Sequence, residues 1–217
     1  MSKTTTWRSP SNIALVKYWG KYHPQLPANP SISFTLDQCY TETTLSLLER
    51  SSDDTYDVDI LLDGEPQESF KPKITKFLDA IQEEIPFTRD HKLRIETHNS
   101  FPHSSGIASS ASGMSALALC LLTLKEEIER KQSTDFFRKA SEWSRLGSGS
   151  ASRSVYGGLV EWGRFAGIAE SNDEYAIPYG GNIHPIFQDF CDYVLLVETG
   201  SKKVSSTAGH GLMENHP

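Results

Sequence analysis

Along the first third of the chain, apolar and polar residues trade places at every second position. ISFTLD (32–37), YTETTLSLL (40–48) and YDVDILLDG (56–64) have this period or a high β-branched content, and Asp63-Gly64 marks a hairpin turn. Antiparallel strands are expected there. At Lys71 the period changes. Ile74, Phe77, Leu78, Ile81 and Ile85 recur at helical spacing and predict one helix face that ends before Pro86. HKLRIETH (91–98) returns to strand alternation. Met114, Leu117, Leu121 and Leu124 predict a second helix. A third carries Phe136, Phe137, Ala140 and Trp143, with Ser133 as its expected N-cap. LVEWGRF (159–165) reads as a strand, and the continuous apolar run CDYVLLVET (191–199) as a buried one. SSTAGHGLMENHP (205–217) reads as a turn-rich or helix-like segment. No repeat is visible, and the alternating blocks predict an α+β layer with helices on one face of a sheet.

Composition narrows the function classes. A hydrophobic content of 37% in 217 residues is enough to bury a core. Twenty-one Lys and Arg against 28 Asp and Glu leave a net charge of -7, so no general attraction to nucleic acid or anionic membrane is expected, and any anion site has to be built locally. Cys39, Cys120 and Cys191 are odd in number and far apart, which argues against a disulfide framework or a zinc ribbon. MSKTTTWRSP lacks the apolar centre of a signal peptide, and the longest apolar stretch, Met114 to Leu124, is too short to cross a bilayer. A soluble, cytoplasmic protein is the expectation.

Three segments carry candidate chemistry. FPHSSGIASSASG (101–113) passes from a strand through small residues into the second helix. A helix N-terminus offers unpaired N–H groups and a partial positive charge, and small side chains let phosphate oxygens reach them. Spacing alone leaves close helix packing as an equal alternative. The second segment, GSGSASRS (147–154), has the composition of a linker but holds Arg153, whose planar guanidinium suits a carboxylate or a phosphate. In the third (9–33), Lys17 and Lys21 flank Tyr18 and Trp19 ahead of and beyond Gly20, with Asn12 shortly before. Together they supply several donors for a multiply charged anion. No P-loop, dinucleotide fingerprint, serine-hydrolase elbow or zinc-protease motif occurs.

Taken in order, NIALVKYWGK, FPHSSGIASSASG, RLGSGSASRSVYGGLVEW and KKVSST resemble the diphosphomevalonate decarboxylases of the GHMP kinase superfamily, over essentially the whole chain. The resemblance implies a GHMP-kinase-type N-terminal domain of the ribosomal protein S5 domain 2-like fold over residues 1–187. Residues 188–217 would be the start of a ferredoxin-like C-terminal domain. It further implies ATP-dependent decarboxylation of 5-diphosphomevalonate to isopentenyl diphosphate, with Mg2+ accompanying ATP, and it is compatible with a homodimer.

Carried over by position, Tyr18, Trp19, Gly20 and Lys21 hold the substrate diphosphate, with Lys73 and Thr207 as further contacts. Ser148, Gly149, Ser150, Ala151, Ser152 and Arg153 match the substrate loop, where Arg153 orients the carboxylate that departs as carbon dioxide. Asn12 and Lys17 match polar residues near the reacting centre. Ser104, Ser105, Gly106, Ile107, Ala108, Ser109 and Ser110 match the loop around the ATP phosphates, and Asn99 lies near the nucleotide. No protein metal ligand is implied. The chain departs from many members in carrying His103, Ser104 and Ser105 for Thr-Ala-Ala, and Ser152 for Cys. The family's catalytic aspartate sits in an Asp-Ala-Gly-Pro-Asn segment that does not occur by Pro217, so a piece of a longer protein is expected rather than a natural truncation. A sister activity on mevalonate or its monophosphate, and a ligand-binding role without turnover, are the alternatives.

Overall fold

The computed structural model describes residues 3–102, 107–188, 191–193 and 195. The alternation TTTW starts a first strand, β1 (Lys3–Val16), earlier than the patterned segments suggested. Two short strands, β2 (Lys21–Tyr22) and β3 (Leu26–Pro27), form a separate hairpin. The two patterned segments after it are a single strand, β4 (Ser31–Leu48). Next come β5 (Asp57–Leu62) and β6 (Glu65–Pro66), which are joined by Asp63 and Gly64, both at positive φ, in the two-residue turn that Asp-Gly favours. The remaining strands are β7 (Lys92–Asn99), β8 (Leu159–Trp162) and β9 (Ile177–Pro178).

β4 organises the sheet. Its second half pairs with β7, its first half with β8, and β1 runs antiparallel along both halves. The order is β6-β5-β7-β4-β8-β9, and the β5–β7 pair is parallel. Between those two strands the chain crosses through α1 (Lys71–Ala80). Leaving the α-helix at Ile81, it continues through two 3-10 turns that keep Ile81 and Ile85 buried, so the predicted helix face persists beyond the helix.

Helices α2 (Ser109–Glu129) and α3 (Phe136–Gly147) complete the layer, and a 3-10 segment, Gly149–Val155, follows. Asp135, not Ser133, caps α3, accepting the Arg138 N–H at 3.1 Å. The backbone N–H of Ser133 is held instead by the Glu126 carboxylate at 2.7 Å, in the loop ahead of the helix. The main core joins Leu45, Phe77, Leu93, Leu121 and Trp143 between sheet and helices. A smaller cluster gathers Tyr18, Val160, Trp162 and Ala176 at the other end of the sheet. This is the α+β architecture the pattern predicted.

The expected buried strand at 191–199 is not seen in its described residues. Cys191, Asp192, Tyr193 and Leu195 are exposed and belong to no strand, with Tyr193 and Leu195 each 85% accessible, because no strand or helix of the described residues covers them. The rest of that run, and 205–217, lie outside the described residues.

Candidate functional site

The ends of several elements meet at a cavity of about 890 Å3 between the inner face of the sheet, α1 and α2. Residues from all three motif segments line it: Asn12, Lys17, Tyr18 and Lys21 from the first, Ala108, Ser109 and Ser110 from the second, Ser148, Ser150 and Arg153 from the third. Lys73 and Asn99 line it as well. A chain of net negative charge has thus placed four cations on one concavity lined, among the described residues, by no Asp or Glu.

Arg153 is the most deeply placed of the four, 2% exposed. The 3-10 segment turns it inward towards the first half of β4, where its Nε donates to Ser33 Oγ at 2.9 Å and Nη1 to Ser31 Oγ at 2.7 Å. Its Nη2 donates to Asn12 Oδ1 at 3.3 Å. The Asn12 amide is oriented in turn by its own Nδ2, which donates to Ser154 Oγ at 2.7 Å and to the Ser150 carbonyl at 3.1 Å. Burial lowers the pKa of Arg153 to about 10. A guanidinium held by neutral oxygens in a desolvated setting has strong affinity for an anion.

Lys21 and Lys73 face the same space from the β2 hairpin and the first turn of α1. Burial lowers the pKa of each, and the Lys21 ammonium lowers that of Lys73 further. Two ammonium groups set close enough to repel form a charge pair that a polyanion relieves. Asn29 fixes the loop that carries Lys17: its Oδ1 accepts the Trp19 N–H at 2.7 Å and its Nδ2 donates to the Lys17 carbonyl at 3.1 Å. Tyr18 is buried, which raises its pKa, with the nearby Arg153 charge opposing the rise.

The N-terminus of α2 is the third device. Ala108 takes a left-handed conformation at the cap, φ 54° and ψ 41°, and no side chain caps the helix. The first N–H groups of a 21-residue helix therefore open beside the cavity with the positive end of its dipole. Asn99 stands next to them, its Oδ1 accepting from Thr41 Oγ1 at 2.7 Å.

Not every expected site residue touches the cavity. Trp19 points to solvent, 52% exposed, with the Lys17 ammonium 4.9 Å from its ring centre. Gly20 supplies a positive-φ turn, 73°. Gly149, Ala151 and Ser152 are buried behind the loop and shape it. The Ile107 side chain is buried in the interior, and its carbonyl accepts from Ser11. Ser104, Ser105, Gly106 and Thr207 lie outside the described residues.

Sequence reasoning missed Thr41, Thr43 and Thr97 in the lining, and Ser31 and Ser33 behind it. For Thr43 and Thr97 a signal was present: each lies two residues along its strand from a core residue, Leu45 and Ile95. It also missed the apolar wall formed by Ile60, Leu62, Phe70 and Ile95.

In this α+β domain a buried guanidinium, two ammonium groups and an uncapped helix end share one cavity, a charge pattern complementary to multiply charged small molecules. Residues 9–174 match the diphosphomevalonate decarboxylase-like N-terminal domain model, and the chain belongs to that family. It is 33% identical over 220 residues to a diphosphomevalonate decarboxylase of Bos taurus, an alignment covering 94% of this chain and 51% of the bovine one. The chain thus spans about half the length of the curated relatives it matches. In structure it is similar to the mevalonate diphosphate decarboxylase of Staphylococcus aureus, with a TM-score of 0.73 and 34% identity over 97% of this chain and 59% of that one. It is also similar to MDDEF in complex with MVAPP, AMPPCP and magnesium, at TM-score 0.66 and 34% identity over 82% and 51% of the two chains. The GHMP-type N-terminal fold is thereby established.

Proposed function

We propose that the cavity holds 5-diphosphomevalonate together with ATP, and that the chain serves the ATP-dependent decarboxylation that yields isopentenyl diphosphate, ADP, phosphate and carbon dioxide. Residues 1–187 act as the ligand-binding domain and 188–217 open a C-terminal one. The observation that carries this reading is the convergence of Arg153, Lys21, Lys73 and the uncapped end of α2 on one space.

Each device suits one anion. Lys21 and Lys73 receive the diphosphate, which relieves their mutual repulsion. Arg153 receives the carboxylate. The end of α2, with the Ser109 and Ser110 hydroxyls, receives the triphosphate, and the apolar wall of Ile60, Leu62, Phe70 and Ile95 suits a purine base. Ser109 and Ser110 also offer oxygen ligands to a Mg2+ arriving on the nucleotide, which neutralises phosphate charge when bound. Among the described residues no group of three or more His, Cys, Asp or Glu could hold a metal; phosphate oxygens and water would complete the octahedral shell of a Mg2+ arriving with the nucleotide.

A tertiary hydroxyl leaves poorly until it is phosphorylated. Once phosphate departs, positive charge develops at carbon, and the carboxylate bond breaks to fill it. Asn12, Lys17 and Arg153 surround that region with fixed dipoles and charge, so positioning and electrostatic stabilisation carry the catalysis. The proton of the hydroxyl needs an acceptor, and no carboxylate of the described residues lines the cavity. The test is calorimetry of the 217-residue chain with 5-diphosphomevalonate and an ATP analogue, paired with phosphate and carbon dioxide release. Binding of both ligands supports the site. Binding without release assigns this chain a ligand-holding role, turnover of mevalonate 5-phosphate in place of the diphosphate assigns the sister activity, and binding of neither ligand overturns the reading.

A further inference from the structure

Arg153 is buried against three neutral acceptors, and each presents a lone pair for a structural reason. Ser31 Oγ donates its own proton to the Trp162 carbonyl at 3.1 Å, which leaves its lone pairs for Nη1 of Arg153. Asn12 spends both amide protons on Ser154 and Ser150, so its oxygen faces Nη2. Ser33 lies two residues along β4 from Ser31, hence on the same face, and takes Nε. Both serines sit in paired register with β8, opposite Trp162 and Val160, so the sheet ladder fixes them.

Nε–H and Nη2 form the side-on edge of the guanidinium fork, and Ser33 and Asn12 take it, while Ser31 holds Nη1. Each terminal nitrogen carries two protons and spends one on these bonds, so two of the five donors remain for a ligand. Rotation of the fork would break the Ser31 and Ser33 bonds together. A carboxylate at position 31 or 33 would hold the guanidinium equally well but would cancel its charge. Hydroxyls orient without neutralising.

We infer that Ser31 and Ser33 are positioning residues that lock the Arg153 fork with its two remaining donors and full charge presented to a ligand carboxylate. They set the preference of the site for carboxylate-bearing over carboxylate-free diphosphates. The inference rests on the functional reading above and assigns a role to two residues that do not line the cavity.

The experiment compares two ligands on the 217-residue chain by calorimetry: 5-diphosphomevalonate, and isopentenyl diphosphate, which lacks the carboxylate. Ser31→Ala and Ser33→Ala are each expected to weaken the first by about tenfold and to leave the second unchanged, which also shows that the variants are folded. In the Arg153→Lys background, where no Nε exists, Ser33→Ala should cost nothing further. Unchanged affinity for 5-diphosphomevalonate overturns the inference. So does a proportional fall for both ligands, or an equal loss in both backgrounds, because either marks a merely structural role. Wild-type protein that binds neither ligand overturns the functional reading itself, and the inference with it.

Discussion

Tyr18 and Trp162 meet edge to face, their ring centres 4.8 Å apart at 76°, and the Arg153 guanidinium stands 5.6 Å from the first ring and 5.8 Å from the second. Part of the solvation that Arg153 loses on burial is thus returned by two aromatic rings rather than by a carboxylate. The rings belong to the smaller core cluster, so the packing of that cluster and the charge of the site are one structure.

Trp162 is fully buried and its Nε1 donates to the Asp173 carbonyl at 2.8 Å. Trp162→Ala removes the ring, the hydrogen bond and the Arg153 contact at once, and should lower the unfolding free energy by about 3–5 kcal/mol. Trp162→Phe keeps a ring and should lose about 1 kcal/mol. Chemical denaturation monitored by far-UV circular dichroism measures both. Equal stability of the alanine variant and wild type would dissociate the cluster from the fold.

Gly149 tests the same arrangement from the loop side. A Cβ there would lie 2.9 Å from Trp162 Cη2 and 3.1 Å from Tyr18 Oη. Both rings are packed, so neither can yield without moving its neighbours. Gly149→Ala is expected to destabilise by about 1–3 kcal/mol and to shift the indole fluorescence. An unshifted spectrum with native stability would show that the loop, not the rings, gives way.

How much of this was legible in the sequence depended on whether a residue's task shows in its local pattern. Helix periodicity and the Asp63-Gly64 turn are local signals, and the structure agrees with them. The continuity of β4 is not local. Gln38 and Cys39 fall between the two patterned segments, yet β4 runs on, with residues 36–39 bulging opposite Ser11 of β1 where the register shifts between Pro10 and Asn12. The N-cap of α3 was misplaced because the helix starts only at Phe136, where Asp135 accepts the Arg138 N–H. Ser31 and Ser33 were invisible for a related reason: a serine in a strand reads as a surface residue until the arginine 120 positions away is seen to donate to it.

The ammonium pair predicts a pH dependence. Burial lowers the pKa of both Lys21 and Lys73, and Lys21 adds repulsion to Lys73. Each therefore loses its proton at a lower pH than an ordinary lysine, and affinity for a diphosphate should fall earlier as pH rises. Lys21→Met should weaken diphosphate binding by about tenfold at neutral pH and move the pKa of Lys73 upwards. Side-chain nitrogen NMR of Lys73 in the two proteins is the measurement, and an unmoved Lys73 would mean that the two charges do not interact.

Glu161 gives the last prediction, from the opposite face of the sheet. On β8 it alternates with Val160 and Trp162, whose side chains fill the smaller core, and it is paired across to Ile32 on β4 and Ile177 on β9. Its carboxylate is buried, and neither oxygen has a hydrogen-bond partner among the described residues. Burial raises its pKa. The folded protein thus holds this proton more tightly than the unfolded chain does. Its contribution to stability is fully present below the ordinary glutamate range and is lost as pH rises through the elevated folded value. Glu161→Gln keeps the shape and removes the ionisation. The variant should match wild type at acid pH and be more stable than it at neutral pH, with the gap opening between the two pKa values. Parallel stability curves across that range would mean that Glu161 ionises in the fold as freely as in the unfolded chain.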